Sequence, residues 1–141
     1  MRTVLKGKPK PGSEAEQQYK ADVALAGRRG ELLSAAREAE SRFRNAQDRQ
    51  APEAELHRLA TELDTALTEA MRAAYAAQRA EIGPRGYEDR IYRRKAKAKP
   101  RVHALTAEAE HLLTLRETHR LNGIPYVPFE PGPEAAPYTR G

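Results

Sequence analysis

The chain contains no cysteine, which removes disulfides and thiolate metal sites from consideration. Long apolar runs are also missing. None approaches the roughly 20 residues that span a bilayer, and no secretory hydrophobic segment follows the N-terminus. A soluble, cytoplasmic protein is expected. Enzyme signatures are absent: there is no Gly-rich phosphate loop, no H-E-x-x-H and no nucleophile elbow. Ser13 sits at a helix start and Ser34 and Ser41 lie within an Arg/Glu-rich helix, with no histidine close enough in sequence to act as a base. A non-enzymatic protein without cofactor or metal is the expectation.

Acidic and thermolabile residues are unevenly used, with 16 Glu against 4 Asp, and only 2 Asn, 3 Ser and 2 Met. This bias fits a thermophilic source and fits a GC-rich genome equally well. The 141 residues suffice for one domain with a modest core.

Charge is what the chain has in an unusual arrangement. The net charge is +5, yet residues 1–12 carry four basic groups (Arg2, Lys6, Lys8, Lys10) and residues 90–101, RIYRRKAKAKPR, carry seven, neither stretch holding an acid. Those two stretches contribute +11, so the remaining 117 residues sum to −6. Basic arms on an acidic body are a better sign of an anionic partner than uniform basicity would be.

Hydrophobic periodicity predicts a mainly α protein: an antiparallel helical hairpin plus a third helix, forming a small bundle. A helix over 13–26 is expected to open with a capping box in which Ser13 and Glu16 satisfy each other's backbone N–H groups. GRRG at 27–30 interrupts it. Leu32, Leu33, Ala36, Ala39, Phe43 and Ala46 then mark a helix over 31–50, and Pro52 suits the first turn of the next. That next helix, 53–82, has the clearest stripe: Leu56, Leu59, Leu63, Ala66, Leu67, Ala70, Met71, Ala74 and Ala77. Its alanines allow close approach by a neighbour. GPRG at 83–86 ends the hairpin, and a third helix runs from Pro100 to about Leu121, with Asn122-Gly123 as its C-cap.

Residues 1–12 read as an extended basic arm, 13–121 as the helical domain with a basic insert at 87–101, and 122–141 as a Pro-rich extended tail. The insert is ambiguous. DRIYRR alternates like a strand and RRKAKAK suits a helix, so a minor sheet built from residues 2–6, 89–95 and 124–129 stands as the alternative. The tail has five prolines in its last 18 residues, which favours polyproline-like chain.

The histidines and carboxylates invite a metal reading that does not hold. His103, His111 and His119 recur every eight residues, a step that turns a helix by about 80°, so the rings fan out and are expected at the surface. Glu108 and His111 form one E-x-x-H pair, whereas di-iron bundles need two plus two further glutamates.

The candidate nucleic-acid-binding residues are Arg90, Tyr92, Arg93, Arg94, Lys95, Lys97, Lys99 and Arg101, with Lys6, Lys8 and Lys10 of the first arm. Clustered cations neutralise phosphates and release counterions, and Tyr92 is placed to stack on an unpaired base. No base-reading motif accompanies them, so contact with DNA or RNA is expected to be non-specific. The plainer alternatives are a basic loop paired with the chain's own acidic helices, and docking on an acidic protein. In the tail, Tyr126, Val127 and Phe129 are candidate anchors for a protein partner, or for a strap across the chain's own bundle.

In length, lack of cysteine, Glu/Arg/Ala bias and segregated charge, the chain resembles small early proteins of phages that infect Thermus. One class of these binds the host RNA polymerase and alters promoter use, pausing or termination. The resemblance implies a regulator docked on polymerase in the host cytoplasm, with a basic arm beside nucleic acid. The competing expectation is a virion structural or assembly protein that uses its helices and extended termini for subunit packing.

Overall fold

The apolar stripe on Leu59, Leu63, Leu67, Ala70, Ala74 and Ala77 belongs to the central rod of the protein. The computed structural model describes residues 12–122. In chain order these form α1 (Ser13–Ala26), α2 (Arg29–Asp48), α3 (Glu53–Ile82), a 3-10 turn (Pro84–Tyr87), α4 (Arg90–Ala96) and α5 (Pro100–Asn122). The expected helical bundle is present. The first arm up to residue 11 and the tail from residue 123 lie outside the described residues, as does the expected Gly123 cap.

α3 packs against all three long neighbours. Asp22 of α1 pairs with Arg79, and Arg42 of α2 and Arg49 just after it pair with Glu62 and Glu55. In that register α1 and α2 are successive segments running antiparallel to α3, separated by the break at Gly27-Arg28. α3 also meets α5, again antiparallel, through Gln78 to Thr106, Asp64 to Arg120 and Ala60 to His119. The pattern of small residues explains the geometry. Ala60, Ala70, Ala73, Ala74 and Ala76 of α3 are fully buried, so the neighbouring helices can approach it closely. Larger groups fill the remaining space: Leu32, Phe43, Leu59, Leu63, Leu67 and Leu112 close one continuous core.

The turn between α2 and α3 is a Schellman motif. The Ala51 N–H reaches the Ala46 carbonyl and the Gln50 N–H reaches that of Gln47, at 2.9 and 3.0 Å. Gln50 occupies the left-handed position, with φ 55°. Pro52 follows as the residue just before α3, one place earlier than expected.

Two local expectations are corrected. The capping box does not form: Gly12 is the N-cap of α1, no side chain caps the helix, and Ser13 is already its first helical residue. The Gly12 N–H instead donates to Glu88 Oε2 at 2.8 Å. Residues 90–96 are helix, and no strand occurs among the described residues, so 89–95 supplies no sheet. The alternation of DRIYRR misleads because Tyr92, Arg93 and Ala96 share one face at helical spacing. Asp89 also caps that helix, accepting from the Tyr92 N–H at 2.9 Å. No helix among the described residues is long and apolar enough to cross a membrane.

Candidate nucleic-acid interface

A second, smaller apolar cluster holds α4 at the end of the bundle where α3 stops. Ile82, Ala96 and Val102 are buried there, with Tyr92 packed against them. Gly83 makes the turn out of α3 with φ 100°, a backbone shape that side chains oppose. Gly86 serves proximity: a Cβ on it would stand 2.5 Å from Ile82 Cγ2. Its bare backbone lets the Arg93 guanidinium reach inward and donate to the Gly86 carbonyl.

Burying Tyr92 and Ala96 decides which side of α4 faces water. At 100° per residue, Lys97, Arg90, Arg94, Ile91 and Lys95 fall in sequence around about 160° of arc on the opposite side. All five are exposed, as is Lys99 in the turn that follows. Ile91, within this arc, is 67% exposed.

Most arginines elsewhere pair with carboxylates, for example Arg29 with Glu108, Arg44 with Glu40, Arg58 with Glu62 and Arg120 with Asp64. Among the described residues, none of the six cations from Arg90 to Lys99 has such a partner. Arg101 does, with Glu81 at 3.6 Å. Self-pairing with the acidic body therefore accounts for one basic residue of the seven.

The predicted residues divide accordingly. Arg90, Arg94, Lys95, Lys97 and Lys99 come together on one surface. Arg93 stands at its edge, turned toward the 3-10 turn. Tyr92 is half-buried, and the Arg85 guanidinium lies over its ring, 4.5 Å from the centroid. One ring face is thus already occupied by a cation. Lys6, Lys8, Lys10, Tyr126, Val127 and Phe129 lie outside the described residues. Gly12, the first described residue, donates to Glu88, two residues before α4. Asn122, where the tail departs, is at the other end of α5, about 33 Å away along that helix at 1.5 Å per residue.

Under this surface lies an ionic latch that no sequence motif announces. Asp22 of α1 accepts from Arg79 Nε and Nη2, at 2.8 and 3.1 Å, and from the Tyr87 hydroxyl. Burial opposes the Asp22 charge, but these donors outweigh it and hold the carboxyl below its ordinary value. Tyr87 is pushed upward, by burial first and by the Asp22 carboxylate second. The edge of Tyr87 also meets Tyr19, with ring centroids 6.5 Å apart. Asp89 is held low by the Tyr92 backbone N–H and, more weakly, by Arg85.

His119 is a further correction. It is buried, with Nε2 2.8 Å from the Ala60 carbonyl, and so donates there. Its ring meets Phe43 edge-on at 5.4 Å. His103 and His111 are exposed as expected. The signal is present in the sequence: His119 lies seven residues, two turns, beyond Leu112 on the face of the buried stripe Val102, Leu105, Ala109, Leu112. Glu108 of the E-x-x-H pair is occupied by Arg29, and no group of three or more metal-ligating side chains occurs among the described residues.

No protein-family model, curated protein or solved structure matches this chain.

Proposed function

We propose that the protein is a non-enzymatic binding module that docks on a nucleic-acid-processing machine and lays the outer face of α4 against the phosphate backbone. The observation that carries this reading is the cationic arc of Arg90, Arg94, Lys95 and Lys97, continued by Lys99, without a carboxylate partner among the described residues. Like charges held together on a short helix repel one another, and a polyanion relieves that repulsion while releasing its own counterions. The mechanism is steric and electrostatic: a rigid bundle carries the basic face to nucleic acid. RNA polymerase is the machine to which the chain's compositional resemblance points.

The outward cations have few partners within the protein, so replacing them should spare the fold. The test is the variant Arg90→Ala/Arg94→Ala/Lys95→Ala, compared with wild type for binding to a mixed-sequence oligonucleotide across salt concentrations. Each phosphate that the variant no longer neutralises makes the slope of log K against log salt shallower by about 0.9 for a duplex. A triple variant that binds as wild type does at every salt concentration, with unchanged stability, refutes the proposal.

A further inference from the structure

Beneath the edge of the cationic arc, a hollow of about 250 Å³ opens between α1, the end of α3, the 3-10 turn and α4. Gln18, Arg79, Ile82, Gly86, Tyr87 and Arg93 line it. We propose that this hollow is a seat for a single phosphate of a nucleic-acid strand, with Arg79 and Arg93 as its two clamps. The inference rests on the function proposed above and names the part of that surface which grips one phosphate rather than attracting many.

Three features support it. First, both guanidiniums are held in place by the protein itself. Arg79 is anchored by two bonds to Asp22, and Arg93 by one to the Gly86 carbonyl. A guanidinium has five N–H donors, so each retains several for a ligand, and prior anchoring reduces the ordering cost of binding. Second, the charge is unbalanced. Two cations line the hollow and no carboxylate does; Asp22, behind it, pairs with Arg79 and not with Arg93. Tyr87 directs its hydroxyl to the same carboxylate. A ligand supplying negative charge and several acceptor oxygens completes the set, and planar forks suit phosphate better than a point charge does. The Gln18 amide adds a neutral donor at the rim. Third, the location fits. Arg93 lies next to Arg90 and Lys97 around α4, so a strand crossing the exposed arc passes the mouth of the hollow.

The experiment uses the full chain and observes the arginine Nε–H signals by NMR, with inorganic phosphate as the first probe and chloride at matched ionic strength as control. Phosphate is expected to shift Arg93 and Arg79 saturably, where chloride does not. Arg93→Lys keeps the charge but loses the fork, and should weaken phosphate about tenfold, equivalent to roughly 1.4 kcal/mol. Gln18→Ala, an exposed change, should weaken it less while leaving the fold intact. A short oligonucleotide should then displace phosphate from the same signals.

Seat and surface can be told apart by their ligands. Arg94→Ala/Lys95→Ala should weaken the oligonucleotide and leave inorganic phosphate affinity unchanged. If Arg93 and Arg79 respond no more to phosphate than to chloride while salt-dependent oligonucleotide binding persists, the seat is refuted and the proposed function stands. If phosphate binds but no oligonucleotide displaces it, a seat for a nucleic-acid strand is likewise refuted. If wild type binds no oligonucleotide at any salt concentration, the proposed function and the seat fall together.

Discussion

Replacing Asp22 by Asn tests whether the latch between α1, α3 and the 3-10 turn stabilises the end of the bundle that carries α4. The change is nearly isosteric and close to neutral in helix propensity, so it isolates the charge. In wild type the Asp22 side chain is 12% exposed and receives two donors from Arg79 and one from Tyr87. A hydrogen bond to a buried charged group contributes about 1.5–3 kcal/mol. The Arg79 side chain is 43% exposed, so solvent screening reduces its share to about 0.5–1 kcal/mol. Asn retains one acceptor oxygen, so the Tyr87 bond changes from a charged acceptor to a neutral one, a weakening of about 1 kcal/mol. Together these give a destabilisation of about 1.5–2 kcal/mol at neutral pH, read in urea as a midpoint lowered by roughly 1 M with unchanged slope.

The pH dependence provides a second, independent check. The folded-state carboxyl of Asp22 is lowered, so its contribution is fully present above the unfolded value, about 3.9. It is lost as pH falls through the folded value. The Asn variant has nothing to titrate at that position. The two stability curves should therefore lie apart above about pH 5 and converge in acid. Equal stability at pH 7, or a gap that persists undiminished in acid, would show that the latch is not an ionic one. At the alkaline end the raised Tyr87 works in the other direction. Its contribution is complete below about pH 10, the unfolded value, and declines as pH rises through the higher folded one.

Gly86→Ala should destabilise by about 1–3 kcal/mol through the clash with Ile82. In an Ile82→Ala background the added cost of Gly86→Ala should shrink, a coupling measurable by a double-mutant cycle in urea. His119→Ala should cost about 2–3 kcal/mol, because the bond to the Ala60 carbonyl and the edge packing on Phe43 both disappear and a space remains. Thermal unfolding of the variant checks this, and a surface-like cost below about 0.5 kcal/mol would contradict the buried placement.

Elements with long, regular apolar stripes are legible in the sequence: the stripe of α3 predicts its observed ends, and that of α5 comes within a residue. The expected α2 lies two residues late at both ends, because Gly30 reads as part of the GRRG break and because Arg49 and Gln50 read as helix although they form the Schellman turn. Within the helix the missing side chain of Gly30 faces open space and costs only propensity. α4 is ambiguous because seven residues give too few turns to separate a period of 2 from one of 3.6. What resolves it is tertiary: Tyr92 and Ala96 bury against Ile82 and Val102.

The candidate surface is legible as composition but not as geometry. Nothing local distinguishes Arg93 and Arg101, which are engaged within the protein, from Arg94 and Lys95, which face out. The Asp22, Arg79 and Tyr87 latch is invisible for the same reason. Its members are separated by 57 and 65 residues from Asp22, and no short motif signals a pairing that the register of α1 on α3 creates.

The most direct test of the central claim is the affinity of the wild-type protein for duplex and single-stranded oligonucleotides of mixed sequence, measured from low to high salt. Five outward cations from Arg90 to Lys99 predict a log–log slope steeper than about −3 on duplex, with little dependence on sequence. No binding at low salt, or binding that salt does not weaken, would contradict the account.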